Sequence, residues 1–229
     1  MIAERLQHIH ERIEKACQKA GRDPSSVTLV AISKTKPVEM LQEAFDSGQL
    51  DFGENYVQEM LDKQEVLTDL EQQGLRWHFT GHLQRNKVRK IAGRTHFIHA
   101  VHSLSLAKEL EKRTPEGQKQ IILLQCNLSQ EESKSGFLEY SDVLEVLLQP
   151  WKRLEIQGLM EIPAWDADPE AVRPSFRKLR EWRDRLQEDS GQSLPHLSMG
   201  MSNDLEVAVE EGATFVRIGT AIFGPRERK

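Results

Sequence analysis

Apolar strand-like runs that alternate with helix-like segments eight times, in 229 residues without a composition break marking a linker, predict an α/β fold: a single TIM (β/α)8 barrel. A charged amphipathic segment ahead of the first run adds an extra N-terminal helix. The expected organisation is one domain over residues 1–229, with that helix in 1–21 and the barrel in 27–224.

In residues 2–20, Ile2, Leu6, Ile9, Ile13 and Ala16 or Cys17 recur at helical spacing, and Gly21 stops the helix. The first strand is 27–33, followed by a helix over 38–47 with Pro37 at its start. Strand two at 51–54 precedes a helix over 56–70, and strand three at 76–80 precedes a helix over 84–92. Strand four at 95–101 leads to a helix opening at Ser103, and strand five at 120–127 to a helix over 140–148. Strand six at 155–162 precedes a polar helix over 169–187, whose mixed-charge stretch 173–189 reads as a solvated face of ion pairs. Strand seven at 196–199, a helix at 205–211 and strand eight at 214–218 complete the count. The rival architecture is a doubly wound open sheet, which announces its nucleotide site with a glycine-rich turn after strand one. No such turn follows residues 27–33.

Composition removes several function classes. The formal net charge is −5, from 31 basic and 36 acidic residues, which gives no broad basic field for nucleic acid. The two cysteines, Cys17 and Cys126, match no metal spacing and no disulfide scaffold. The amino terminus is not a basic-then-apolar leader, and no run has the length to cross a bilayer, so the expectation is a cytoplasmic protein away from membranes.

In a (β/α)8 barrel the functional groups sit at the carboxyl ends of the strands, and phosphate is commonly held after strands seven and eight. Strand one delivers Lys34 there. A lysine shielded from water loses part of the cost of deprotonation and becomes a nucleophile for an aldehyde; the alternative is a solvated lysine capping a strand. After strand seven comes Ser198-Met-Gly-Met-Ser202-Asn203-Asp204, where Ser202 or Asn203 can cap the next helix. After strand eight comes Arg217-Ile-Gly219-Thr220, which offers a guanidinium, a hydroxyl and free backbone donors. The rims of strands two and five carry Asn55 and Lys134. For His78 a hydrogen-bonded wall histidine and a ligand contact are equally open, and His96, His99 and His102 read as structural.

These segments carry a resemblance. Ala31-Ile-Ser-Lys34-Thr-Lys-Pro37, Phe52-Gly-Glu-Asn55, Trp77-His-Phe-Thr-Gly-His-Leu-Gln-Arg-Asn-Lys87, Ser133-Lys-Ser-Gly136, Gly158-Leu-Met160, Ser198 to Asp204 and Val216-Arg-Ile-Gly-Thr220 resemble, in order and over nearly the whole chain, the YggS/PROSC family of pyridoxal-phosphate homeostasis proteins. The resemblance implies the barrel of the alanine racemase N-terminal domain, the fold type III of pyridoxal 5′-phosphate enzymes. It implies that Lys34 forms a Schiff base with the cofactor, with Lys36 as the rival anchor, and that Arg217 lies beside the pyridine nitrogen. Ser202, Gly219 and Thr220 would hold the phosphate, Asn55 and Lys134 would line the pocket, and Ser198 and His78 are further candidates. Two adjacent cations repel, so Arg217 disfavours the protonated, strongly carbanion-stabilising ring. Alanine racemases add a second domain whose tyrosine is the opposite base; these 229 residues contain only Tyr56 and Tyr140. The implied role is therefore a reversible holder of pyridoxal phosphate rather than an enzyme, acting as a monomer and influencing the supply of the cofactor to other enzymes, with apo-enzymes as candidate partners and delivery, storage and scavenging all open. An amino-acid racemase of the same fold is the alternative.

Overall fold

The computed structural model describes residues 1–129, 134–164 and 166–225. Gln130 to Ser133, Trp165 and the terminal residues 226–229 therefore lie outside the described residues, including Ser133 of the predicted strand-five motif. The chain opens with helix α1 (Ile2–Lys19) and then alternates. The strands are β1 (Thr28–Ile32), β2 (Asp51–Glu54), β3 (Arg76–Phe79), β4 (Phe97–Val101), β5 (Gln120–Cys126), β6 (Leu154–Glu161), β7 (His196–Ser198) and β8 (Phe215–Ile218). Between and after them lie α2 (Val38–Asp46), α3 (Val57–Val66), α4 (Thr68–Gln72), α5 (Val88–Ile91), α6 (Leu104–Arg113), α7 (Tyr140–Leu147), α8 (Arg173–Ser190), α9 (Leu205–Glu210) and α10 (Thr220–Phe223). The eight strands close into a parallel barrel in sequence order, with β8 returning to β1 through pairs such as Val30 opposite Arg217. The expected TIM barrel is the observed one.

Strands of such a barrel are covered on both faces, which is why they read as near-continuous apolar runs. Alternation along each strand sorts the side chains into two cores. Val30, Phe97, Leu123, Met160 and Phe215 fill the barrel interior, with Ile32, Ile121 and Ile162 packed against them. Leu29, Ala31, Phe52, Ile98, Leu124, Leu197 and Val216 face outward against the helices, where they meet Leu41, Met60, Leu110, Val146 and Phe176. Helix α1 buries Ile2, Leu6, Ile9, Ile13, Ala16 and Cys17, the stripe its spacing predicts, and packs on α9, α10 and α2.

Three predicted helices differ from the observed ones, the 169–187 segment being a 3-10 turn at Pro169–Val172 followed by α8. The 56–70 segment divides at Leu67 into α3 and α4, because the Thr68 hydroxyl donates to the Gln64 carbonyl at 3.0 Å and competes for a helical acceptor. The 84–92 segment is a 3-10 turn at Arg85–Lys87 followed by the single turn of α5. The mixed-charge face of α8 is as expected, with Arg173, Arg177 and Arg180 paired to Glu211. Among the described residues no helix is long and apolar enough to cross a membrane.

Candidate functional site

The carboxyl ends of β1, β2, β3, β6, β7 and β8 surround a cavity of about 330 Å³. Lys34, Asn55, Ser202, Arg217, Gly219 and Thr220 all line it, so six of the residues selected from sequence converge on one space. Its volume lies at the small end of the range for small-molecule sites, about 300–1,000 Å³. Ile32, Ile162 and Met201 supply apolar walls, and Thr80, Asp166, Asn203 and Asp204 are polar lining residues that the sequence reading missed.

Lys34 is half-buried two residues past β1, and Thr35 behind it has φ +62°, the one positive φ outside glycine among the described residues. A β-branched residue adopts that conformation only when its surroundings impose it. Here Glu59 Oε1 accepts the Thr35 amide at 2.5 Å. The same oxygen accepts from Lys63 Nζ at 2.7 Å, and that buried ammonium also donates to Glu54 Oε1 at 2.6 Å and to the Ser33 carbonyl at 2.8 Å. Lys63 thus ties two carboxylates of the 54–59 segment to the turn that aims Lys34. Burial raises the Glu54 carboxyl above its ordinary range against the pull of Lys63. Lys36 turns elsewhere, its Nζ donating to the Pro225 carbonyl at 2.7 Å, and it does not line the cavity.

Arg217 is 5 % exposed, and its Nη1 and Nη2 donate to Ser198 Oγ at 2.7 Å and to the Glu161 carbonyl at 2.8 Å. Burial pulls its guanidinium down to about 10, against the charges of Asp204 and Glu161, so it stays cationic near neutral pH. Glu161 is pushed up to about 7, first by burial, with the Ser175 hydroxyl, the Leu128 amide, Lys134 and Arg217 opposing.

The anion end is built from two loops. Thr220 and Ala221 open α10, so their amides have no acceptor within the helix. A Cβ on Gly219 would lie 3.2 Å from the Ile32 carbonyl oxygen and 3.3 Å from Ile32 Cβ, so the backbone there passes close to β1. In the other loop Asp204 Oδ1 accepts the Met201 amide at 2.5 Å, and Asp204, rather than Ser202 or Asn203, is the residue that starts α9. Helix α9 begins at Leu205, where the sequence reading placed it, so the cap position falls on Asp204, and Ser202 and Asn203 are left to line the cavity. Helix α1 braces both loops. Arg12 Nη2 donates to the Ser202 carbonyl at 3.0 Å while paired with Glu206, and Arg5 Nη1 donates to the Ile222 carbonyl at 3.1 Å.

Besides Lys36, three candidates lie off the cavity wall. Lys134 is half-buried, and its Nζ donates to the Pro163 carbonyl at 2.7 Å, after β6. His78 is fully buried inside the barrel, bonded to Asp51 and His99, and is a wall histidine rather than a cavity residue. Ser198 lies beneath the cavity, supporting Arg217 from behind. Among the described residues no cluster of His, Cys, Asp and Glu could hold a metal ion.

This donor set fits pyridoxal phosphate: an amine at the end of β1, helix-start amides and a hydroxyl after the neighbouring β8, a further hydroxyl after β7, and a buried guanidinium on β8. Residues 5–227 match the family described as alanine racemase, N-terminal domain. A pyridoxal phosphate homeostasis protein of Aquifex aeolicus is 46% identical over 227 residues, covering 98% of both chains. The structure of PipY from Synechococcus elongatus, solved with PLP bound, is 37% identical with a TM-score of 0.85 and covers 98% of this chain and 100% of that one. Alanine racemase from Corynebacterium glutamicum shares the fold alone, at 18% identity and a TM-score of 0.71 over 96% of this chain and 62% of that chain. With near full-length identity of this order joined to the barrel and its strand-end residues, the chain belongs to the family of pyridoxal phosphate homeostasis proteins.

Proposed function

We propose that this protein binds pyridoxal 5′-phosphate reversibly and takes part in its homeostasis, with Lys34 as the covalent anchor. The observation that carries the reading is the convergence of Lys34, Arg217 and the two anion-binding loops on one cavity. Bound pyridoxal phosphate supplies an aldehyde that a lysine amine captures and a pyridine ring that serves as an electron sink. Ser202 with the Gly219 and Thr220 backbone holds the phosphate, and Asn55, fixed by the Thr80 hydroxyl at 3.0 Å, lines the side wall. Lys134 stands at the rim on the β6 side. Arg217, donor-only and cationic, opposes protonation of a ring nitrogen placed beside it, which suits holding over carbanion chemistry.

The protein is read as a non-enzymatic, monomeric, cytoplasmic holder that delivers its ligand to apo-enzymes. The curated relative is named a homeostasis protein rather than an enzyme, and the racemases support only the fold. Added pyridoxal phosphate should give the purified protein a visible absorption band that Lys34→Ala abolishes. A band retained at full strength would move the anchor to Lys36 or Lys134. Exchange of amino-acid α-hydrogens with deuterated solvent above the free-cofactor rate would favour the racemase instead. Size-exclusion chromatography checks the monomer.

A further inference from the structure

A line of polar side chains runs through the apolar interior of the barrel, from the cavity floor to the opposite mouth. Arg217 Nη1 meets Ser198 Oγ at 2.7 Å, and Ser198 Oγ meets His99 Nδ1 at 2.8 Å. His99 Nε2 meets His78 Nδ1 at 2.9 Å, and His78 Nε2 meets Asp51 Oδ1 at 2.8 Å. Both histidines are fully buried, and Phe97 and Phe215 pack against their rings. At the far mouth Asp51 is also held by Arg76, at 2.7 and 2.6 Å.

The two ends of this line decide its direction. A guanidinium only donates and an ionised carboxylate only accepts, while a serine and a neutral histidine each bring one donor and one acceptor to the line. One arrangement then satisfies every contact: Arg217 donates to Ser198, Ser198 to His99 Nδ1, His99 Nε2–H to His78 Nδ1, and His78 Nε2–H to Asp51. Burial lowers both imidazoles and Asp51 sits at about 2, in keeping with neutral rings and a charged terminus. Bonds aligned in one sense polarise one another, so the Ser198 oxygen becomes a better acceptor for the guanidinium than an isolated hydroxyl.

We propose that this directed chain orients the Arg217 guanidinium at the cavity floor, making Ser198, His99, His78 and Asp51 positioning residues for the ring end of the ligand. The proposal rests on the cofactor reading above through Arg217 alone.

The test uses the full chain labelled with 15N-histidine, with and without pyridoxal phosphate. Long-range 15N–1H correlation spectra should show His78 and His99 as neutral Nε2–H tautomers. An Nδ1–H tautomer or an imidazolium at either one overturns the proposal. Ser198→Ala should weaken pyridoxal phosphate uptake about tenfold, the scale of one hydrogen bond to a charged group, and Ser198→Thr should restore it. Asp51→Asn, at the other mouth, should weaken uptake in the same direction and shift the His99 signals, when compared at equal folded fraction by circular dichroism. Wild-type affinity in both Ser198→Ala and Asp51→Asn overturns the chain's role. If the wild type takes up no pyridoxal phosphate, the cofactor reading fails, and the tautomers still decide whether the chain exists.

Discussion

Lys63→Met is the substitution that most directly probes how the Lys34 turn is held. The Lys63 ammonium, 5 % exposed, satisfies Glu54, Glu59 and the Ser33 carbonyl within 2.8 Å. Methionine fills similar volume but leaves Glu54, which is fully buried, facing Glu59 without a cation. Breaking one partner out of a buried ion pair costs about 3–5 kcal/mol. For a chain of this size each kcal/mol lowers the melting temperature by roughly 2–4 °C, which puts the expected drop at about 6–20 °C at pH 7. The cost should shrink below pH 5, because Glu54 already binds its proton more tightly than usual and loses the cation that opposed this. Thermal denaturation followed by circular dichroism at pH 7 and pH 4.5 measures both quantities. A loss below about 1 kcal/mol, or an equal loss at the two pH values, refutes the idea that a buried charge cluster clamps this turn. A melting temperature that falls while Lys34 still captures the aldehyde normally would make the cluster a stability element only.

Other outcomes follow from the same geometry. Glu161 keeps its proton up to about 7 against an ordinary 4.5, so the native state binds more protons between those values and its stability falls as pH rises through them. At about 1.4 kcal/mol per pH unit, Glu161→Gln should gain up to about 3 kcal/mol at pH 8 and little at pH 4, by urea unfolding. The same gain at both pH values counts against a buried, unfavourably charged carboxylate. Asp51 behaves oppositely: held at about 2 instead of 3.8, it contributes about 2 kcal/mol at neutral pH that is lost as pH falls through that window, an acid limb that Asp51→Asn should flatten. Gly200 has φ +95° and a Cβ there would lie 2.5 Å from Ala208 Cβ, so Gly200→Ala should cost roughly 1–3 kcal/mol and weaken phosphate-dependent binding. Arg12→Ala should weaken pyridoxal phosphate more than pyridoxal, by equilibrium dialysis, since Arg12 holds the Ser202 carbonyl. An equal loss for both ligands would separate α1 from the anion loop.

The barrel was legible because its strands are short, apolar and evenly punctuated, and because strand ends in this fold share one face. That rule brought Lys34, Asn55, Ser202 and Arg217 to one cavity from positions as far apart as 34 and 217. Periodicity carries no information on pairings across the barrel, so the contact of His99 with Ser198, 99 residues apart, was invisible and His99 read as merely structural. Lys63 was hidden for a related reason: on an amphipathic helix a lysine reads as surface, and only the Glu54 and Glu59 carboxylates on the adjacent strand end and helix turn make its burial tolerable. The helix break at Leu67 turns on one threonine hydroxyl, a local competition that hydrophobic spacing does not register.

The central claim is that Lys34 is the residue that holds pyridoxal phosphate. Borohydride reduction of the loaded protein, followed by peptide mapping by mass spectrometry, tests it directly. The account predicts a phosphopyridoxyl group on Lys34 and its loss in Lys34→Ala; label on Lys36 or Lys134 in the wild type, or none at all, contradicts it.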